Sequence, residues 1–197
     1  MNVQDFFGKH NGYARMKDLK KNGFHTRVIA KALNDNIIEK VKPGLYKLVD
    51  YEWDENSSFI DITKVSSKAV ICLNSALHYY NLSTINPNLV HVAVPNNTAR
   101  FSLDYPPVKL FYFSDTIYPL EIIEIKGSNG TFKIYSIEKT ICDAFRYRKR
   151  IGEDLALEAL KNYMRRKESD LNRLYKVAKE CKIAKVIEPY IKAMVVE

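Results

Sequence analysis

Glu124-Ile125-Lys126 lies in a run, Glu121 to Lys126, whose alternation predicts a strand, so period-two spacing places the Glu and Lys side chains on one face. Metal-dependent nucleases use a carboxylate and a lysine placed like this to hold a divalent ion and polarise a water. They also need an aspartate from a neighbouring strand. Asp104 and Asp115 are available, but neither sits in a local pattern that marks it for that role. The alternative is the solvent face of an amphipathic strand, and on balance the chain reads as a non-enzyme. His10, His25, His78 and His91 form no H-E-x-x-H pattern, and Cys72, Cys142 and Cys181 form no C-x-x-C pair, so neither set implies a metal. Three widely spaced cysteines suit buried free thiols. Gly-rich phosphate loops, G-x-S-x-G elbows and dinucleotide fingerprints are missing from the sequence, and no cofactor is expected.

The other chemistry the residue types offer is polyanion binding. The net charge is +8, and it is segregated. Residues 1–50 carry ten Lys and Arg against five Asp and Glu, residues 51–135 six against eight, and residues 136–197 fifteen against ten. The basic charge therefore gathers at the two ends. In the first of these, Arg27, Lys31 and Asn34 fall together at helical spacing, opposite Ile29 and Leu33, with Thr26 placed to cap the helix. Arg pairs with guanine edges and Asn with adenine, whereas Lys is equally suited to phosphate. Lys40, Lys42 and Lys47 extend the basic set onto a hairpin, from which they are expected to reach phosphates. Each neutralised phosphate adds about 0.9 to the slope of salt dependence on B-form DNA.

These residues must be held by local elements. Val3, Phe6 and Phe7 predict a brief first helix ending at Gly8, and Asn11-Gly12 a turn. Arg15 to Lys21 predicts a second helix that stops at Asn22-Gly23, and His25 to Asn36 a third. Ile37 to Val49 reads as two strands around Pro43-Gly44, with Ile38, Val41 and Leu45 closing a core. Helix, turn, helix and lysine-bearing hairpin predict a winged helix-turn-helix DNA-binding domain over residues 1–50. A small protein-binding module is the other reading of the same elements.

Residues 51–66 are polar and locally acidic, and are expected to form a linker that becomes a short element near Phe59 to Ile62. Residues 67–197 predict an α+β domain, strands followed by helices. Ala69 to Leu82 reads as a helix. Val90 to Val94, Val108 to Phe113, Glu121 to Lys126 and Thr131 to Tyr135 read as strands, the last two joined by the Gly127–Gly130 turn. Ser136 caps the first of four helices: Ile137 to Arg148, Glu153 to Lys167, Leu171 to Cys181 and Ile183 to Val195. Asp143, on an otherwise apolar face, is expected to anchor a basic neighbour or cap a loop. Basic clusters at Arg146 to Arg150 and Arg165 to Lys167 fit either the dipoles of the helix ends or a second acidic-partner surface. No run of about 18 apolar residues is present, and the N-terminus lacks a secretory pattern, so a cytoplasmic protein without membrane contact is expected.

The stretch Tyr135 to Leu160, YSIEKTICDAFRYRKRIGEDLALEAL, resembles the signature of the AbiEi family of antitoxins and transcriptional regulators from type IV, abortive-infection toxin–antitoxin systems. Glu138-Lys139-Thr140, Asp143 and Gly152 through Ala159 carry the likeness. Gly12-Tyr13 and Gly44-Leu45-Tyr46 resemble its N-terminal winged helix, and Asn74-Ser75-Ala76-Leu77 its mid-chain motif. Pro87 to Pro119 matches only in strand pattern. The resemblance implies a regulator that binds operator repeats upstream of its own operon and represses it; a repeat-containing operator would favour two copies bound side by side. It also implies a functionally paired nucleotidyltransferase-like toxin, opposed through the second domain without a required stable complex. A metal-dependent nuclease built on Glu124 and Lys126, and a module neutralising a toxin by contact, remain the alternatives.

Overall fold

Asn2 starts the first helix by accepting the Asp5 N–H at 2.7 Å, with the Asp5 carboxylate turned back to the Asn2 N–H in a capping box. In the computed structural model, which describes residues 2–51, 55–103 and 105–195, this helix α1 (Val3–Gly8) buries Phe6 and Phe7. The chain then turns through Gly12 at φ +77°, where an added Cβ would lie 2.7 Å from the Tyr51 ring, so only glycine fits. Strand β1 (Tyr13–Arg15) leads into α2 (Met16–Lys21), which ends at Asn22 and Gly23, the latter at φ +83°. Helix α3 (Thr26–Asn34) and the strands β2 (Ile38–Lys42) and β3 (Leu45–Leu48) follow. The three strands form an antiparallel sheet in the order β1-β3-β2.

Phe6, Phe7, Leu19, Phe24, Ile29 and Ile38 form the core beneath these elements. Each such side chain, fully buried, contributes roughly 1.5–3 kcal/mol. Ile38 and Val41 are both buried although three residues apart, which strict alternation forbids. A bulge between Lys40 and Lys42 reconciles them by shifting the register. Thr26 is not the cap of α3. His25 occupies that position, without a side-chain hydrogen bond, and Thr26 is the first helical residue.

The short element expected near Phe59 to Ile62 is a helix longer than that stretch. Residues 57–65 form helix α4 (Ser57–Val65), with Ile60, Asp61 and Ile62 buried. The chain divides into two compact units. The first comprises Met1–Ser67 together with Phe101–Pro107 and Ile125–Phe132, so its limit lies beyond residue 50. Phe132 supplies a ring 5.3 Å from that of Phe59 within it.

The second unit comprises Lys68–Arg100, Val108–Glu124 and Lys133–Glu197. Ala69 to Leu82 is not one helix: β4 (Val70–Ile71) precedes α5 (Leu73–Tyr79), and Leu73 at φ +46° breaks the two apart. With β5 (Val90–Pro95), β6 (Val108–Phe113), β7 (Ile122–Lys126) and β8 (Thr131–Tyr135), it builds a mixed sheet in the order β6-β5-β4-β8-β7. The β4–β5 pair is antiparallel, and β5–β6 and β4–β8 are parallel. The Gly127 N–H donates to the Gly130 carbonyl at 2.8 Å in the turn between β7 and β8. The Ser136 hydroxyl accepts the Lys139 N–H at the start of α6 (Ile137–Arg146). Then come α7 (Arg148–Ile151), α8 (Glu153–Met164), α9 (Leu171–Glu180) and α10 (Ala184–Val195). Leu77, Phe145, Leu160, Leu174 and Ile187 join these helices in a common core. The molecule is thus mixed α+β. Among the described residues no helix is long and apolar enough to cross a membrane.

Candidate functional site

Helix α3 has one face in the core, through Ile29 and Ala32, and one in solvent. Thr26, Arg27, Lys31 and Asn34 are all exposed, and among the described residues none of their side chains has a hydrogen-bond or ion-pair partner. A helix of nine residues is about 13 Å long, so these groups span two turns of a projecting surface. On the preceding α2, Lys17, Lys20 and Lys21 are exposed as well.

The three hairpin lysines do not act alike. Lys40 is exposed, as expected of a residue reaching a phosphate. The Lys42 ammonium instead donates to the Val65 carbonyl at 3.0 Å, at the end of α4. Lys47 is the clearest departure, because its ammonium lies 3.1 Å from the Glu39 carboxylate and 2.8 Å from that of Asp61. Sheet register explains this. Glu39 stands opposite Lys47, and Lys47 opposite Tyr13, which sets the three in a row across β2, β3 and β1. The Tyr13 hydroxyl donates to the other Asp61 oxygen at 2.7 Å, so one buried carboxylate terminates the row. Burial alone would lower the Lys47 pKa, but Asp61 and Glu39 outweigh it and hold it above its ordinary value. A cavity of about 160 Å³ opens beside Tyr13, Glu39 and Lys47.

The strand carrying Glu124 and Lys126 is at the sheet's edge, with both side chains exposed, as is Asp115. Asp104 lies outside the described residues. Among the described residues no group of three His, Cys, Asp or Glu is placed to hold a metal ion. All three cysteines are buried free thiols. The neighbouring Cys181 thiol, with burial, pushes the Cys142 pKa up, and Cys142 in turn draws that of Cys181 down. His91 is buried against Phe111, and its Nδ1 lacks a hydrogen-bond partner. Burial, with the nearby Lys109 charge, lowers its pKa to about 4, so the ring is neutral at pH 7.

Helix α6 carries a feature that residue types alone underplay. Lys139 and Asp143, one turn apart, form an ion pair in which both side chains are fully buried. The Lys139 ammonium also lies 4.1 Å from the centre of the Tyr135 ring and 4.9 Å from that of Phe113. Burial raises the Asp143 pKa, against the opposing effect of Lys139 and of Arg146, whose Nε is 4.0 Å away. The i, i+4 spacing was the available signal for this pair. Both side chains are closed off from solvent within the core.

Much of the C-terminal basic charge is likewise occupied. Arg146 donates to the Cys181 carbonyl and Arg166 to that of Tyr80, and Arg148 donates to the Phe145 carbonyl at 2.8 Å. Lys149, Arg165 and Lys167 remain exposed. Compared with protein-family models and with curated proteins, the chain matches none of either.

Proposed function

We propose that the chain is a sequence-specific DNA-binding regulator whose N-terminal unit works as a winged helix-turn-helix. The observation that carries this reading is the solvent face of α3, where Arg27, Lys31 and Asn34 stand free opposite a buried apolar face. The order of α1, β1, α2, α3 and the β2–β3 hairpin supports it, because that order sets a second helix out from a small sheet, where it fits a major groove. In this role Arg27 and Asn34 read base edges and Lys31 sits between base and backbone. Thr26, Lys40 and the exposed lysines of α2 hold phosphates. Lys42 and Lys47 position the hairpin on α4 and leave the phosphates to their neighbours.

The likeness of EKTICDAF to the AbiEi signature supports a narrower role: an antitoxin of a type IV system, acting in the cytoplasm without a cofactor and repressing its own operon. Its functional partner would be a nucleotidyltransferase-like toxin. The test is a mobility-shift titration with the DNA upstream of the chain's own gene, against a scrambled duplex of equal length. Preferential binding of the upstream duplex is expected, and equal or absent binding at low salt overturns the proposal. Co-expression with the product of the adjacent gene tests the antitoxin role separately, through relief of growth arrest.

A further inference from the structure

Helix α8 and its C-cap carry four charged residues in one row: Asp154, Glu158 and Lys161 of the helix and Arg165 at the cap fall within roughly 60° of arc at 3.6 residues per turn. The two acids come first and the two bases last, placed symmetrically about a point between Ala159 and Leu160. Within the helix Asp154 with Glu158 and Lys161 with Arg165 are like charges at i, i+4, and Glu158 with Lys161, at i, i+3, is the one opposite pair in the row. The helix dipole favours Asp154 in the first turn and Lys161 and Arg165 at the far end, but it gives none of them a partner side chain. Glu158 accepts the Thr84 N–H at 2.9 Å, and among the described residues Asp154, Lys161 and Arg165 have no ion-pair partner. Beside the row runs a groove of about 890 Å³, into which Leu157 and Met164 of α8 and Tyr190 and Met194 of α10 project, all partly exposed.

We infer that this face is a two-fold interface between copies of the chain, with α8 antiparallel to the α8 of a second copy. That arrangement sets Asp154 against Arg165 and Glu158 against Lys161, and repeats both pairs by symmetry, so every member of the row meets its opposite. The apolar groove then lies at the edge of the row and is covered by the equivalent side chains, methionines among them, which adapt to such surfaces. The antisymmetry of the charges about one midpoint makes the face complementary to itself, which fits a second copy. Nothing in the inference depends on DNA binding.

The test is sedimentation equilibrium of the full chain over a concentration series. Lys161→Glu with Arg165→Glu gives an all-acidic row, and Asp154→Lys with Glu158→Lys an all-basic one. Each is expected to weaken self-association by at least about tenfold, and an equimolar mixture to restore it as a mixed dimer. Because Glu158 also serves Thr84, the single variants Asp154→Lys and Arg165→Glu form a second complementary pair that leaves that contact intact. A wild-type chain that is monomeric throughout overturns the proposal, as does a mixture that shows no recovery. So does a monomer that takes up an apolar dye lost on Met194→Glu, which would assign the groove to a small apolar ligand.

Discussion

Asp61 of α4 lies 2.8 Å from the Lys47 ammonium and 2.7 Å from the Tyr13 hydroxyl, tying three separate stretches of the N-terminal unit to one buried carboxylate. Asp61→Ala is therefore expected to leave a phenol and an ammonium without their acceptor and to cost about 2–3 kcal/mol. Asp61→Asn, which keeps an oxygen for Tyr13, should cost about 1 kcal/mol. Urea unfolding followed by circular dichroism gives both values. Equal losses in the two variants would show that the tyrosine bond contributes nothing.

The buried pair on α6 leads to a different pattern of energies. Removing one partner strands a charge in the core, so Lys139→Met and Asp143→Leu should each cost about 3–5 kcal/mol, whereas the double variant should cost less than either alone. Lys139 would take its contacts with the Tyr135 and Phe113 rings with it, which makes Lys139→Met the costlier single change. A double-mutant cycle by denaturant unfolding measures the coupling. Additive losses would mean that the two groups do not interact.

How far the sequence reveals this molecule depends on where each partner lies. Helices α1 to α3 and the hairpin were legible, because their stop signals, Asn22-Gly23 and Pro43-Gly44, are local and their apolar spacing is regular. Helix α4 was legible only as a short element near Phe59 to Ile62. Its polar positions, Ser57, Ser58, Asp61, Thr63 and Lys64, outnumber the apolar ones that it buries. The same blindness misplaced Lys47, whose spacing says only that it leaves a strand. Its partner Asp61 is 14 residues away, and Tyr13 is 48 residues from that aspartate, so only the folded sheet could bring them together. Strand β4 was lost in an apolar run that reads equally well as helix, because two residues show no period and the turn at Leu73 lacks a glycine. Of the α3 residues, Arg27, Lys31 and Asn34 needed nothing beyond helical periodicity.

His91 is expected to make stability depend on acid. Its folded-state pKa of about 4 lies below its ordinary 6.5, so between these values the unfolded chain binds the extra proton. Stability is thus fully present above about pH 6.5 and falls as the pH drops toward 4, by up to about 3 kcal/mol. Replacing the ring, as in His91→Leu, should flatten that part of the profile. Measuring unfolding free energy across this window for both proteins checks it; parallel profiles would assign the acid loss to other groups.

The proposed DNA contacts separate by what each substitution does to specificity and to salt dependence. Arg27→Ala should cost about 1–3 kcal/mol on the preferred site and little elsewhere, since a base contact is lost. Lys40→Ala should weaken binding to all sequences alike and reduce the salt slope by about 0.9, as expected when one phosphate contact disappears. Lys47 provides the sharper test, because the three hairpin lysines are alike in sequence. Its ammonium is held by Glu39 and Asp61, so Lys47→Met should lower stability while leaving the salt slope of the folded protein unchanged. Anisotropy titrations of a labelled duplex at several salt concentrations distinguish the two lysines. A slope that falls equally in both would place Lys47 on a phosphate and break the assignment of that residue to the hairpin's own support.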